Sequence, residues 1–525
     1  MASENQALQL QIEQQKLHLV DLRKQGAAQN LLEEAKKALG DLQRALAQAR
    51  SGAASKDTTK KRERLMLKTA KGTRDYGPAE MYCRQYIERI VKDCFTSYGG
   101  SCLDTPVFER QDILQGKYGE DAKLIFDLMD QGGEQLALRY DHTVPLARYL
   151  AMVGANNGHS KLWQVGKVYR RDNPVMSKGR MREFSQADFD ISGTWDPMIP
   201  DAELLSLLCT ILTKLDVGDF TVKLPWVEVK KEMIDEKGLD PTIADKIGEY
   251  VKHKGGPELL ERLNADAVLA ANGRAKDGLV EMGILFTLLD TYKVLDKISF
   301  DLSLARGLDY YTGIIYEAVV EASAPPGFVN TNILPTANDA GAVSAPTKVK
   351  KAKPAVGSEE EEEIDESQVG VGSIAAGGRY DGLVGMFNAA AAAEGKKTQG
   401  LPCVGVSIGL DRVFAIVWPK WVKKGMRSKE TMVYVMSMGD GLLKERIQLV
   451  QELREAGIKT DFLAKNKPKH QAQFAASEKD EVPFAVIVAP EELESGFVRV
   501  KEQKWQFVDG EKVKVKTDAS EKGTQ

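Results

Sequence analysis

Cysteine, histidine and long apolar runs are all scarce in this sequence, and each scarcity removes a class of protein. The five cysteines, Cys83, Cys94, Cys102, Cys209 and Cys403, form no C-x-x-C pair. An odd, scattered set reads as reduced thiols in a cytosolic-type compartment, which argues against a disulfide framework or a zinc site. The five histidines, His18, His142, His159, His253 and His470, lack metal-ligand spacing. No apolar run is long enough to span a bilayer. The first residues lack a basic stretch followed by an apolar one, and Glu4, Glu13 and Asp21 are out of place in a mitochondrial presequence. The expectation is a cytoplasmic protein with no membrane attachment. Neither G-x-x-x-x-G-K-[ST], nor G-x-G-x-x-G after a strand, nor G-x-S-x-G occurs, so kinase, dehydrogenase and hydrolase readings fall away. Phosphates, if bound, must be held by arginines.

What is present is core material: 43% hydrophobic and 28% charged residues, as in an ordinary globular protein. At 525 residues the chain exceeds what one core serves, so about two to four domains are expected. A net charge of −4 argues against a uniformly basic nucleic-acid binder and confines any such surface to a patch. Residues 1–50 read as two amphipathic helices joined near "KQGAAQN": Leu8, Ile12, Leu19 and Leu22 recur at helical spacing, and Leu32, Ala35, Leu39, Leu42 and Leu46 draw a second seam. Residues 51–67 have linker composition. Residues 68–420 alternate strands and helices without a βαβ repeat, which predicts an α+β domain with antiparallel strands. Within it, about 216–297 reads as a helical insertion. The segment at about 322–368, rich in proline, alanine and blocked charge, reads as a disordered loop between two paired strands. Residues 430–515 run strand, helix, strand and predict a small α/β domain, with Gly457 closing its helix.

Two stretches carry polar groups where a strand would bury them. In "WQVGKVYRRDNPVMSKGRMREFSQADFDISG" two strands flank an arginine-rich loop, and strand alternation puts Gln186 and Asp190 on one face, where Arg170 joins them if the register allows. In "LSLARGLDYYTGIIYE", Leu302 to Glu317, Arg306 and the tyrosine pair Tyr310 and Tyr311 interrupt strand-like ends. A solvated salt-bridge hairpin is the plain alternative for the first. The arginine density, the interleaved Trp163, Tyr169, Phe184 and Phe189, and the matching oddity at Arg306 favour a polyanion-and-amine site.

The ordered set "KGTRDYGP", "RYDHTVPLARYLAM", "VYRRDNP", "GRMREFSQADFDISG", "LARGLDYYTG", "AAGGRYDGLVGMF" and "CVGVSIGLDR" resembles the histidyl-tRNA synthetases of the class II aminoacyl-tRNA synthetases, cytoplasmic type, from about Lys71 to the C-terminal domain. The first fifty residues resemble the WHEP-type domain appended to eukaryotic synthetases, and the last hundred an anticodon-binding domain. The resemblance implies an antiparallel catalytic sheet flanked by helices, and ATP-dependent ligation of L-histidine to tRNA(His) through an adenylate, with Mg²⁺. It implies that Asp141, Thr143 and Gln186 bind the ammonium. Asp190 and Tyr311 would read the imidazole, with Tyr310 and Tyr380 completing the wall. Arg306 and Arg170 would act on the α-phosphate and carboxylate, while Asp172, Arg180, Arg182 and Arg412 would hold ATP. It further implies a homodimer with Pro106 near the interface. His142 stands where relatives usually carry an apolar residue, and reads as a wall residue. After "DFTVKL" the chain passes through "PWVEVKKEM" faster than the family does, so the insertion reads as shortened. The other class of function is a catalytically silent synthetase-like regulator that binds tRNA. Such relatives should lose the arginines, and Arg170, Arg306 and Arg412 are all present.

Overall fold

The computed structural model describes residues 2–24, 31–32, 35–42, 67–129, 132–154, 159–224, 248–250, 252–302, 310–320, 372–391, 400–427, 429–439, 442–508, 511–515 and 520–524. Arg306, the loop at 322–368, nearly all of the 51–67 linker, the helix junction at "KQGAAQN" and "PWVEVKKEM" lie outside the described residues. The chain divides into two compact units, Met1–Lys68 and Thr69–Gln525. In the first, α1 (Ala2–Lys24) and the helical residues 31–32 and 35–42 bury Ile12, Leu19 and Ala35 from the expected seams.

The second unit opens with α2 (Pro78–Ser97). Pro78 fits the first turn, where its missing N–H costs nothing, and Glu80 reaches back to accept from the Gly77 N–H at 3.0 Å. Cys83, Ile87, Val91, Cys94 and Phe95 form its buried stripe. The strands that follow are β1 (Ser101–Cys102), β2 (Phe108–Arg110), β3 (Leu136–Leu138), β4 (Ser160–Tyr169), β5 (Glu183–Ser192), β6 (Phe220–Leu224), β7 (Lys254–Gly255), β8 (Ile298–Asp301), β9 (Ile315–Val320), β10 (Ala375–Arg379) and β11 (Cys403–Gly409). Nine of them form one sheet in the order β1-β4-β5-β11-β10-β9-β6-β8-β7, antiparallel from β4 to β6. Helices α3 (Thr143–Val153), α4 (Ile199–Lys214), α5 (Pro257–Asn264), α6 (Gly273–Thr291) and α7 (Leu410–Lys423) flank it.

Strand β5 shows how the sheet divides its labour. Ala187, Phe189 and Ile191 point into the large core with α2 and α4, and Phe189 meets Phe95 at a ring distance of 5.3 Å. Burying each large apolar side chain of this kind contributes about 1.5–3 kcal/mol. The alternate residues Gln186, Asp188 and Asp190 are equally buried but face the opposite way, as period-two geometry requires.

Two boundaries differ from the sequence expectation. The supposed helical insertion contributes β6, β7 and the pairing with β8 to the main sheet, and Leu279, Met282, Leu285, Phe286 and Leu289 of α6 join the same core. Alternating Phe220, Val222 and Leu224 make β6 a strand amid helical neighbours. In the stretch Leu302 to Glu317, the strand begins only at Ile315, so Tyr310 and Tyr311 precede it. Strands β9 and β10 pair antiparallel, as expected of the strands flanking the long loop.

The C-terminal domain is built from β12 (Val433–Ser437), α8 (Leu443–Glu455), β13 (Thr460–Phe462), α9 (His470–Lys479), β14 (Phe484–Val488), β15 (Phe497–Glu502), the hairpin β16 (Lys504–Val508) and β17 (Glu511–Val515), and β18 (Ser520–Thr524). Its sheet runs β13-β12-β14-β15-β18, parallel across the first three strands. Val433 and Val435 of β12 belong to one core cluster, Tyr434 and Met436 to another, so both faces are covered and the strand reads as a continuous apolar run. The domain extends past the expected end at 515, because β18 pairs with β15. That polar edge strand carries no hydrophobic pattern to announce it.

Candidate active site

A cleft of about 790 Å³ opens on the polar face of the nine-stranded sheet. Asp141, Thr143, Arg170, Asp172, Arg180, Gln186, Tyr310, Tyr311 and Arg412 all line it, with Phe184, Ser407 and residues 373–376 of β10 and its approach. Residues as far apart in sequence as Asp141 and Arg412 are thus brought together by the sheet order. The hairpin register pairs Gly166 with Gln186 and carries Arg170 beyond the end of β4. There Nη2 of Arg170 donates to Gln186 Oε1 at 3.3 Å and Nε to the Tyr140 carbonyl at 3.1 Å, and the guanidinium lies 4.2 Å from the Tyr140 ring centre. Among the described residues no carboxylate pairs with it in a salt bridge.

Two other arginines stand close by. Arg180 makes a forked pair with Asp172, with contacts of 2.8–3.0 Å. Arg412, at the start of α7, donates to the Ser373 carbonyl. Its pKa is pushed down to about 10, by burial first and then by the charges of Arg170 and Arg180. A cation lowered by its neighbours marks a place where positive charge exceeds negative, which is what an anionic ligand relieves. Arg182, expected in this set, does not line the cleft. Its Nε donates to the Asp172 carbonyl, and its stem packs against Gly72.

Acids and phenols line the same cleft or stand behind its lining. Asp141 is buried just before α3; its Oδ1 accepts from the Val144 N–H at 3.1 Å and the Tyr118 hydroxyl at 2.9 Å, and its Oδ2 from the Tyr310 hydroxyl at 3.2 Å. Asp190 Oδ1 accepts from the Tyr380 hydroxyl at 2.6 Å, while its buried Oδ2 has no hydrogen-bond partner among the described residues. Neither Asp190 nor Tyr380 lines the cleft directly; Tyr380 lies edge-on to Tyr310 at 6.1 Å, and Tyr310 tilts against Tyr311 at 4.9 Å. Burial raises the pKa of Asp141, and raises that of Asp190 well above the ordinary carboxylate range, with Asp188 adding to the latter. Both acids therefore favour a cationic or hydrogen-bond-donating guest.

The sequence reading missed four participants. Asp188 accepts from the Gln186 amide at 3.0 and 3.2 Å and from the Ser407 hydroxyl at 2.6 Å, so it fixes which end of that amide faces Arg170. Its place between Gln186 and Asp190 on one strand face was signal enough to find it. Tyr118, Tyr140 and Ser407 arrive through tertiary contacts that no local pattern announces. His142 is buried, with neither ring nitrogen in a well-formed hydrogen bond, and burial lowers its pKa to about 3. It packs beside Gly166 and is not among the residues that line the cleft.

Asp411 ties the site together from behind. Its Oδ1 accepts from the Tyr76 hydroxyl and from Arg84, and its Oδ2 from the Ser185 N–H at 2.6 Å. One carboxylate thereby joins "RDYGP", α2, β5 and "GLDR". Gly179, at φ +69°, lets the arginine loop press against this turn: a Cβ there would lie 2.5 Å from the Asp411 carbonyl oxygen.

The chain is similar to known proteins along most of its length. Residues 72–272 and 231–326 match the family model described as histidyl-tRNA synthetase, and residues 432–522 match that of the anticodon binding domain. The histidine–tRNA ligase of Danio rerio is 44% identical over 472 residues, covering 83% of this chain and 85% of that protein. The mitochondrial histidine–tRNA ligase of Homo sapiens is 42% identical over 472 residues, covering 83% and 84%. Among solved structures, the histidyl-tRNA synthetase from Nostoc sp. PCC 7120 superposes with a TM-score of 0.60 at 24% identity, over 86% of this chain and 97% of that one. An ATP phosphoribosyltransferase regulatory subunit/histidyl-tRNA synthetase from Bacillus halodurans C gives 0.55 at 18% identity, over 81% and 99%. These two likenesses concern the fold.

Proposed function

The chain belongs to the histidyl-tRNA synthetase family, and from that premise we propose that the cleft activates L-histidine with ATP and that the enzyme ligates it to tRNA(His). In the first step a carboxylate oxygen of histidine forms a bond to the α-phosphorus, the bond from that phosphorus to the bridging oxygen breaks, and pyrophosphate leaves. In the second, a terminal ribose hydroxyl of the tRNA attacks the acyl carbon and AMP leaves. Neither step needs a covalent protein intermediate, so positioning and charge neutralisation supply the catalysis.

The observation that carries this reading is the polarity of one cleft. Three guanidinium groups, of Arg170, Arg180 and Arg412, line it together with the buried acid Asp141 and the phenols Tyr310 and Tyr311. Histidine joined to a phosphate carries the complementary groups. Asp141, Thr143 and Gln186 take the ammonium. The buried, unpartnered Oδ2 of Asp190, behind the cleft lining, takes an imidazole N–H, with Tyr310 and Tyr311 as wall and Tyr380 holding Asp190 from behind. Arg170, held by Tyr140 and Gln186 before any substrate arrives, stabilises charge on the α-phosphate without reorganising. Arg306 takes the same role from the loop before Tyr310. Arg180 exchanges Asp172 for phosphate, Arg412 steadies the ATP tail, and Arg182 supports the loop through the Asp172 backbone. Mg²⁺ would come with the phosphates and neutralise their charge, and Asp172, which lines the cleft beside Arg180, would be the carboxylate nearest to hold it.

A homodimer completes the reading. Pro106, Val107 and Phe108 are exposed in succession on β2 and its approach, and Leu128 and Met129, on the far side of β3, are exposed as well. The helical N-terminal unit, WHEP-like in pattern, assists tRNA contact or assembly. Relatives carry names for either the cytoplasm or the mitochondrion. No described helix is long and apolar enough to cross a membrane. ATP–pyrophosphate exchange with each of the twenty amino acids tests the whole scheme. Exchange with histidine alone is expected, and exchange with none would install the silent regulator instead.

A further inference from the structure

Two of the groups that line the cleft are chemically two-faced. An amide and a hydroxyl each offer both donor and acceptor, so Gln186 and Ser407 do not by themselves choose between guests. Asp188 is 1% exposed and no part of the lining, and it engages both. Gln186 Nε2 donates to its two carboxylate oxygens at 3.0 and 3.2 Å, and the Ser407 hydroxyl donates to its Oδ2 at 2.6 Å. The arrangement follows from the register. Asp188 stands between Gln164 of β4 and Ser407 of β11, with Gln186 two residues back on the same face. Gln164 is engaged elsewhere, accepting from the Thr105 hydroxyl at 2.8 Å and donating to the His142 carbonyl at 3.3 Å. The carboxylate is left to the two lining groups.

The consequence is directional, because an ionised carboxylate only accepts. With its amide nitrogen turned to Asp188, Gln186 presents its carbonyl oxygen to the cleft. Arg170 donates to that oxygen at 3.3 Å, and the second lone pair is left for a guest. Ser407 has one proton, which goes to Asp188, so its lone pairs face the other way. Two ambivalent groups are thereby set as acceptors in the cleft that the buried Asp141 also lines. Several acceptors suit an ammonium, which has three protons to donate. A hydroxyl has one, and its own lone pairs would meet acceptors.

We propose that Asp188 is the positioning residue through which this cleft reads an α-ammonium and rejects an α-hydroxyl, a selectivity that the lining amide and hydroxyl alone do not carry. This rests on the reading that the cleft activates histidine. The charge of Asp188 controls it. Burial raises its pKa to about 7, and the ionisable groups around it are Asp141 and Arg139 ahead of α3, Arg170 beyond β4 and Asp190 on β5. Once protonated, the carboxyl has a proton of its own to donate to Ser407 or Gln186, and the fixed direction is lost. Selectivity for the ammonium therefore rises as pH passes upward through about 7.

The test is ATP–pyrophosphate exchange by the full-length enzyme with L-histidine and with its α-hydroxy analogue, from about pH 6 to about pH 8. Both compounds carry the same imidazole and carboxylate, so their ratio isolates the α-substituent. Asp188→Asn keeps the shape and places a donor where the carboxylate accepted. It is expected to raise KM for histidine about 10- to 100-fold, as for hydrogen bonds to a charged group, while kcat and KM for ATP move far less. The preference for histidine over the hydroxy acid should narrow by a similar factor and lose its pH dependence. Ser407→Ala removes one of the two acceptors; it should narrow the preference by a smaller step and add little in the Asp188→Asn background, since coupled residues are not additive. An unchanged preference in Asp188→Asn overturns the proposal, and if that variant does not fold, an unchanged preference in Ser407→Ala does so. Equal losses with histidine, hydroxy acid and ATP also overturn it and leave Asp188 a support of the fold. Absence of histidine exchange in the unmodified enzyme overturns the activation reading itself, and is told apart because it precedes any substitution.

Discussion

The two sheets of this chain bury their faces differently. On the nine-stranded sheet, one face of β5 is apolar and the other carries Gln186, Asp188 and Asp190, all buried. On the five-stranded sheet, β12 and β14 are apolar on both faces. Antiparallel neighbours leave a face free for a ligand, whereas a parallel sheet covered on both sides leaves only its edges. Function on a face ties activity to strand register. Function at an end ties it to loop shape.

The sharpest test of that contrast is Asp190→Asn on the polar face. It keeps the side-chain shape and removes the charge, and sites built to hydrogen-bond a polar group can reject a mismatch by ~10⁴-fold or more. Histidine-dependent exchange is expected to collapse by that order, with an unchanged circular dichroism spectrum. Unaltered exchange would move imidazole recognition elsewhere. Next in size, Arg170→Ala removes a donor oriented before binding. Single-turnover adenylation should fall by roughly 10²–10³-fold while the Kd for ATP moves far less, the mark of an interaction made mainly in the transition state. A change confined to the ATP Kd would make Arg170 a ground-state binder. Arg306→Ala should behave in the same way.

Asp188 supplies a test in pH. Burial, with the charge of Asp141 adding, raises its pKa from 3.8 to about 7. Between those values the folded protein holds a proton that the unfolded chain has released, so this group's contribution to stability falls as pH rises from about 4 to about 7 and stays lost above. Asp188→Asn cannot release that proton. Its melting temperature, relative to wild type, should climb by a few degrees between pH 5 and 8; a flat difference would place the carboxylate in a more polar setting. The smallest effect belongs to the other sheet. Ile487→Val in β14 should cost about 0.5–1.5 kcal/mol of stability and leave exchange per folded molecule untouched. Impaired adenylation there would erase the division between the two regions.

Much of this was legible because the strongest local patterns coincide with the working parts. The alternation in "REFSQADFDISG" gave both the strand and the face on which Gln186 and Asp190 lie, and the β4–β5 register then delivered Arg170. The apolar runs "TMVYVMSM" and "PFAVIVAP" announced a sheet covered on both sides. What escaped was tertiary. β6 is five residues among helices, and its neighbours β9 and β8 lie about eighty or more positions onward. β18 is an edge strand of polar sequence that pairs with β15. Tyr118 reaches Asp141 from a short helical turn with no signature, and Asp411 gathers four segments by contacts that only the folded chain reveals.

Gly405 faces Asp190 across the β5–β11 pairing, and a Cβ at that position would lie 1.8 Å from the carboxylate oxygen that Tyr380 also engages. The acid and the glycine are thus a matched pair, and neither can drift alone. Any side chain at 405 evicts the acid from its seat, and a longer acid at 190 has no added room beside the strand. On the proposed role of Asp190 in reading the imidazole, a change of amino-acid preference by single substitutions should run through an inactive intermediate. Ancestral reconstruction or laboratory evolution aimed at a different substrate should find positions 190 and 405 changing together, or neither changing at all.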